Sequence, residues 1–386
     1  LCLISYLKIT LMATQTQTPP LRRRKVECGP LSLKQPNAPP LLERLKSTSA
    51  SRHNAIQSSR QNNAIRLYNK NAWLRPMCSP YGRNFVSIWK PLFLVTIISC
   101  ITTPLIVLNK NDDEIISFCQ EKTSSESALS YIIISLTFLL VFRLNRAAVR
   151  HYEARQLCGL MIVNLRDTIV QSNASLSHDN PDSRDALCAF AVGYPVCFAW
   201  YMWTIADSQI FDEARFRSML DGLFDEDTVS TLIAAKNRPM ALIQMALSEL
   251  ESSFEGLPDT PIQAEAYGQL AKMIRGLGLS LGGCERIQGT PLPYVYVVHL
   301  RSFLVIVLAA MPILFACDWE WATIPLSILV AWGLLGIEAA SVECEQPFSP
   351  RPSKNHHDVE KFCVVVSTEA QDLLRINDSI LQKNKH

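Results

Sequence analysis

Charge is scarce in this chain. Asp, Glu, Lys and Arg make up 19% of its 386 residues while 48% are hydrophobic, against a charged share of roughly a quarter in ordinary soluble domains. The formal net charge is only +2, so the broad basic field of a nucleic-acid binder is missing and no nucleic-acid partner is expected. Strand-like alternation is absent from 150–288, which reads as helices. There is no Cys-x-x-Cys, and His151, His178, His299, His356 and His357 have no carboxylate or thiolate partner at metal-ligand spacing. No metal site and no cofactor are therefore expected. The His356-His357 pair reads as a solvated loop. The glycines at 276, 278, 282 and 283 lack the Lys-Ser/Thr of a phosphate loop and follow no strand, so they read as close helix packing. Twelve cysteines are present, but scattered and in several cases inside apolar runs, which reads as reduced, mostly buried thiols.

What the chain does have is long apolar runs. Segments 89–108, 128–142, 295–316 and 321–340 are candidates to cross a bilayer, and only Asp318 and Glu320 interrupt the second pair, which predicts a tight helical hairpin. The run 128–142 is shorter than the ~20 residues of a full span, so its helix is expected to continue through 144–149. Prolines 91, 104, 312 and 325 are tolerable where neighbouring helices satisfy the freed backbone groups. Cations flank one side of all four runs: Arg66, Lys70, Arg75, Arg83 and Lys90; Arg143, Arg146, Arg150 and Arg155; Arg275, Arg286 and Arg301; Arg351 and Lys354. Acids Asp112, Asp113, Glu114, Glu121 and Glu126, with Asp318 and Glu320, occupy the connections on the other. The positive-inside rule then gives an all-α integral membrane protein with four transmembrane helices and both termini inside.

Region 150–288 becomes a large inside-facing helical domain. Residues 183–203 are apolar enough to be mistaken for a fifth span, but a fifth crossing would separate the termini, so a buried helix is expected there. Residues 225–253 have helical spacing with Pro239 inside. Segment 261–286 carries Ile262, Ala266, Leu270, Ile274 and Leu277 at three- and four-residue steps. Asn173-Ala-Ser175 matches a glycosylation pattern but falls on the inside. Between Met12 and Arg60 the acids are only Glu27 and Glu43, against nine Lys and Arg. That stretch has two readings, an organelle transit peptide or a basic tail lying near anionic lipid. The boundaries are 1–80 for the tail, 81–150 for the first membrane pair, 151–290 for the inside domain, 291–345 for the second pair, and 346–386 for a C-terminal segment packing on that domain.

In the second span Ile134, Phe138 and Phe142 recur every four residues. Four residues turn a helix by ~400°, so the three form one stripe about 12 Å long. Arg143, Arg146 and Arg150 follow immediately. Such a stripe is either a helix-packing face above topology anchors or, if copies of this helix surround an axis, a hydrophobic constriction above a cationic vestibule. An intramembrane acid such as Glu338, with His151 and Glu153 at the bilayer edge, keeps a membrane-embedded enzyme or carrier in view.

Three motifs give a resemblance. Phe142-Arg-Leu-Asn-Arg-Ala-Ala-Val-Arg-His-Tyr-Glu-Ala-Arg155, Cys284-Glu-Arg-Ile-Gln-Gly-Thr-Pro-Leu-Pro-Tyr294, and Gly336-Ile-Glu running to Glu345-Gln-Pro-Phe348 resemble, in order, the bestrophin pore helix and its basic continuation, the approach to the third span, and the exit of the fourth. The resemblance covers 83–381. It implies a homopentameric channel for chloride or other small anions rather than an enzyme, with the lipid bilayer and further copies of the chain as partners. It also implies that Ile134, Phe138 and Phe142 line the pore neck, that Arg143, Arg146 and Arg150 supply vestibule charge, and that helix 261–286 lines an inner constriction at Leu270 or Gly268. Animal members carry a run of acids that clasps calcium after the Pro-Phe motif. Here Pro347-Phe348 is followed by Ser-Pro-Arg-Pro-Ser-Lys-Asn-His-His-Asp358, too few oxygen ligands for calcium. In that respect the chain is similar to plant thylakoid and bacterial members, and since some of the bacterial ones prefer cations, a monovalent cation channel of the same fold is the alternative. The implied location is a chloroplast membrane, with the plasma membrane as the other reading.

Overall fold

The computed structural model describes residues 38–49, 85–110, 112–121, 123–176, 180–255, 260–348 and 356–383, and single positions at 33, 35, 51, 52 and 54. The cations at 22–25, Arg66, Lys70, Arg75, Arg83, Arg351 and Lys354, the side chain of Glu126, and His178 lie outside the described residues. Within them every regular element is helical: α1 Leu41–Ser47, α2 Phe85–Leu108, α3 Asp113–Glu121, α4 Thr123–Leu176, α5 Pro181–Ala206, α6 Glu213–Leu220, α7 Glu226–Ala234, α8 Arg238–Phe254, α9 Pro261–Gly289, α10 Tyr294–Trp319, α11 Thr323–Glu345 and α12 Val359–Lys383.

Four stretches are long and apolar enough to cross a bilayer: Ile88–Leu108, Ser127–Leu176, Pro181–Ala206 and Tyr294–Glu345, the last holding both α10 and α11. Burial separates α5 from the rest. In its most apolar window 89% is buried inside the protein, against 22% for the first two stretches and 39% for the last. Wrapped by α4, α8, α9 and α12, α5 has no face left for lipid. The membrane helices are therefore α2, α4, α10 and α11, which meet around Val95, Leu136, Leu140, Leu304, Leu308, Met311 and Leu335. A second core surrounds α5, where Phe190, Tyr194, Phe198, Trp200, Phe216 and Phe348 are all fully buried.

The second span does not stop where its apolar run ends. α4 has 54 residues, about 80 Å at 1.5 Å per residue, so one continuous helix runs from the cluster around Leu136 and Leu140 into the helical domain around α5. Prolines and caps organise that domain. Asn180, Asn237 and Thr260 each accept a bond from the backbone N–H three residues on, and each is followed by a proline in the first helical turn. The expectation of one helix through Pro239 is corrected on this account: Asn237 caps a new helix, α8, and α7 ends at Ala234.

The glycines at 276 and 283 serve close packing, as expected. A Cβ at Gly276 would meet Asn164 Nδ2 at 2.8 Å, and one at Gly283 would meet Leu157 Cδ1 at 2.6 Å, both on α4. Gly268 and Gly282 face open space instead.

The reading of the cysteines needs a correction. Cys119 in α3 and Cys317 in α10 form a disulfide with Cα atoms 6.0 Å apart, on the acidic side where Lys110 Nζ also pairs with Glu320 Oε1 at 2.5 Å. The other described cysteines are free, and most are buried. Desolvation pushes the Cys188 and Cys197 thiols up to about 12, so they stay protonated and inert.

The N-terminal region also contributes to the fold. α1 buries Leu41 and Leu45 completely, the Leu41 N–H donates to Asp185 Oδ2 at 2.8 Å, and Arg44 Nη1 donates to the Gly222 carbonyl at 3.2 Å.

Candidate functional site

Helix α4 presents two unlike faces at membrane level. Leu136 and Leu140 are fully buried against the other spans, whereas Ile134, Phe138 and Phe142 are 66%, 71% and 53% exposed on the opposite side. Among the described residues nothing covers that stripe. Asn145 and Arg146 continue it on the inner side, both exposed, so an apolar surface gives way to a cationic one within a single turn.

The three arginines expected to act together part company. Arg146 is exposed on the stripe. The expectation for Arg143 is corrected: it is 1% exposed, with Nη1 3.0 Å from Glu338 and Nη2 3.6 Å from Glu345. A helix advances 100° per residue, so the residue after Phe142 points away from the stripe and into α11. Arg150 is corrected as well. Its Nη2 donates to the carbonyls of Ile287 at 2.6 Å and Thr290 at 2.9 Å, at the end of α9 where carbonyls lack helical partners, so its charge serves as a C-terminal cap.

Helix α9 likewise sorts its residues. Leu270, expected at an inner constriction, is fully buried together with Ile274 and Leu277, and a side chain enclosed by its own protomer cannot line an open passage. Gly268 does face outward, on a stripe with Glu265, Lys272, Arg275 and Leu279. The apolar spacing that drew attention to Leu270 marks the core face of the helix, and the polar residues between were the signal for the open face.

The residues that kept an enzyme in view are engaged otherwise. Glu153 pairs with Arg286, and Glu338 pairs with Arg143 and Arg301. His151 lies beneath the ring of His357, centroids 4.3 Å apart, and its carbonyl is 3.0 Å from His357 Nε2. The solvated reading of the histidine loop is thereby corrected: His356 is buried, 3.4 Å from Glu343, and burial beside His151 holds His357 down at about 4. Asn173 is buried in α4, which removes it as a glycan acceptor. Among the described residues no cluster of three or more His, Cys, Asp or Glu is placed to hold a metal.

Comparison with known proteins bears on the same segments. The chloroplastic voltage-dependent chloride channel 2 of Arabidopsis thaliana is 26% identical over 371 residues, covering 92% of this chain and 84% of that protein. A voltage-dependent anion-channel-forming protein of Synechocystis is 25% identical, covering 65% of this chain and 78% of that one. In fold, the chain is similar to the crystal structure of a bacterial bestrophin homolog from Klebsiella pneumoniae, with a TM-score of 0.63 and 21% identity over 74% of this chain and 98% of that one. The family model described as bacterial/fungal bestrophin matches residues 66–372, which take in α2 to α11 and most of α12, and the chain belongs to the bestrophin family.

Proposed function

We propose that this protein is an anion channel that conducts chloride or similar small anions passively through a central pore lined by copies of α4. The observation that carries the reading is the uncovered Ile134-Phe138-Phe142 stripe with Arg146 next along the same face. Around a symmetry axis the stripe forms a neck narrow and apolar enough to gate by dewetting, and the arginine beyond it raises the local anion concentration. The relatives named as anion and chloride channels support the same class. Five copies complete the ring in this reading, which follows the family resemblance. The inner constriction falls at Gly268 on the open face of α9, among Glu265, Lys272 and Arg275. That face carries both signs of charge, so anion preference rests more on Arg146 and its surroundings than on α9.

A membrane-embedded enzyme is the weaker reading, because Glu153 and Glu338 sit in ion pairs and His151 packs on His357. The chloroplast is the proposed location, supported by the chloroplastic relative. The deciding experiment is single-channel recording of purified protein in planar bilayers under unequal salt. Unitary currents with a reversal potential near that of chloride are expected. A reversal potential near that of the cation would select the cation channel, and absence of unitary current alongside saturable exchange or turnover would end the channel reading.

A further inference from the structure

Immediately inside the stripe, a small charge network ties three membrane helices together. Arg143 on α4 reaches Glu338 on α11, and the same Glu338 oxygen accepts a bond from Arg301 Nε on α10 at 2.7 Å. Glu345, about two turns further along α11, lies 3.6 Å from Arg143 and accepts the backbone N–H of Leu292, in the turn leading into α10, at 2.8 Å. Side-chain exposures of 1% for Arg143, 9% for Glu338 and 10% for Glu345 mean that these charges have little water to turn to if a partner leaves. Arg301, at 52%, does.

Two further features distinguish this network from a topology anchor. Its α4 member is the residue after Phe142, so no movement of α4 can break the Arg143 pair without also moving the last ring of the stripe. The network is also incompletely satisfied: Arg143 Nε and Glu338 Oε2 are buried without a hydrogen-bond partner. Unused donor and acceptor capacity on both sides of one ion pair is what a second arrangement of the same groups requires.

We propose that Glu338 is a positioning residue that clamps the inner end of α4 to the α10–α11 hairpin and thereby fixes where Phe142 stands in the neck. The inference rests on α4 being the pore-lining helix. The clamp acts on gating and not on selectivity, because a buried and neutralised pair adds no net field to the conduction path.

The test is single-channel recording of wild type, Glu338→Gln, Arg143→Met and the double variant, each checked for assembly by size-exclusion chromatography. Glu338→Gln leaves Arg143 with only Glu345 at 3.6 Å, Arg143→Met leaves Glu338 with only Arg301, and the double change removes both members of the buried pair. The singles are expected to alter open probability by about fivefold or more, the lower end of what a coupling of this kind produces. The double variant also lacks the clamp but keeps the net charge of the pair at zero, so it is expected to share the altered open probability while its reversal potential stays that of wild type. If Glu338→Gln does not assemble, Arg301→Gln decides, since it loosens the same carboxylate from a solvated partner: a smaller change in open probability in the same sense supports the clamp, and wild-type gating overturns it. Singles that gate like wild type, or a double variant that gates like wild type or shifts reversal potential, also overturn it. Loss of the channel reading is distinguishable, because wild type itself would then pass no unitary current.

Discussion

Phe138, 71% exposed on a helix whose opposite face is fully buried, sets the residue-scale problem of the neck. Replacing Ile134, Phe138 and Phe142 together by Ala removes bulk from a surface that no neighbour in the protomer supports, so the fold should survive while the constriction widens and wets. Higher open probability or larger unitary current is expected with anion preference retained, because dewetting responds to radius and polarity more than to ion sign. A triple variant with wild-type currents would remove the neck assignment. Charge should behave oppositely. Arg146→Gln is expected to move the reversal potential toward cations, as its side chain is exposed beside the stripe, whereas Arg150→Gln should lower thermal stability by stripping the cap from α9, at about 1–3 kcal/mol for carbonyls left without a donor.

His357 gives a second residue-scale expectation. Its ionisation is held down to about 4 from 6.5, first by burial and then by His151, Arg155 and His356, with the contact to the His151 carbonyl opposing them. A base whose folded value is depressed binds its proton more readily when unfolded, so its contribution to stability is present above about 6.5 and is lost as pH falls from there towards about 4. Melting temperature should drop between about pH 7 and pH 5 in wild type, and the drop should be smaller in His357→Gln. An equal drop in both proteins would show that other groups govern acid lability.

At the scale of elements, the four membrane helices were legible because each is a long apolar run with charges sorted to its ends, and α5 because a fifth crossing conflicted with that sorting. The sequence could not show that α4 continues to Leu176, since an amphipathic helix inside a protein domain carries no hydropathy signature of its own. Arg143 and Arg146 were separable in the sequence, because Arg146 continues the four-residue step of the stripe while Arg143 is turned about 100° from Phe142; grouping them by charge alone hid this. Leu270 failed for a different reason: in α9 the apolar steps mark the face packed against the other helices, and the open face is the polar one. The Cys119–Cys317 bridge was hidden by a separation of 198 residues, although both cysteines lie on the acid-rich side. A disulfide there, with Cys158, Cys188, Cys197, Cys284 and Cys363 free and buried in the inside half, fits an oxidising far compartment and a reducing inner one. Closing so long a loop should contribute about 2–4 kcal/mol. Reductant is expected to lower the melting temperature of wild type, to the level of Cys119→Ser and Cys317→Ser, and to leave those variants unmoved. A reductant effect that persists in the variants would place the sensitive thiols elsewhere.

Assembly is the question at the scale of the whole molecule, and the inside domain bears on it more than the membrane does. In the proposed topology lipid covers Ile101 and Leu105 on α2 and does not reach the far part of α4. Val163 stands 21 residues beyond Phe142, about 30 Å further along the helix axis, and yet Leu160, Val163 and Val170 are 56%, 47% and 49% exposed there, with Leu279 on α9 at 81%. Exposed large apolar side chains that recur along one face of a helix, as Leu160, Val163 and Val170 do on α4, are what an interface presents. The same helix that offers the neck stripe in the membrane thus offers an uncovered apolar face below it, and further copies arranged around an axis parallel to α4 would bury both at once. A two-fold dimer would bury the lower face but leave two stripes that cannot close a ring, whereas cyclic symmetry closes it. Particle images of detergent-solubilised protein are expected to show five-fold rings. Polar substitution of Leu160 and Val163 together should dissociate those rings while leaving the helical content of the protomer unchanged, as seen by circular dichroism. Monomers or two-fold dimers in the wild-type images would rule out the ring and the neck that depends on it.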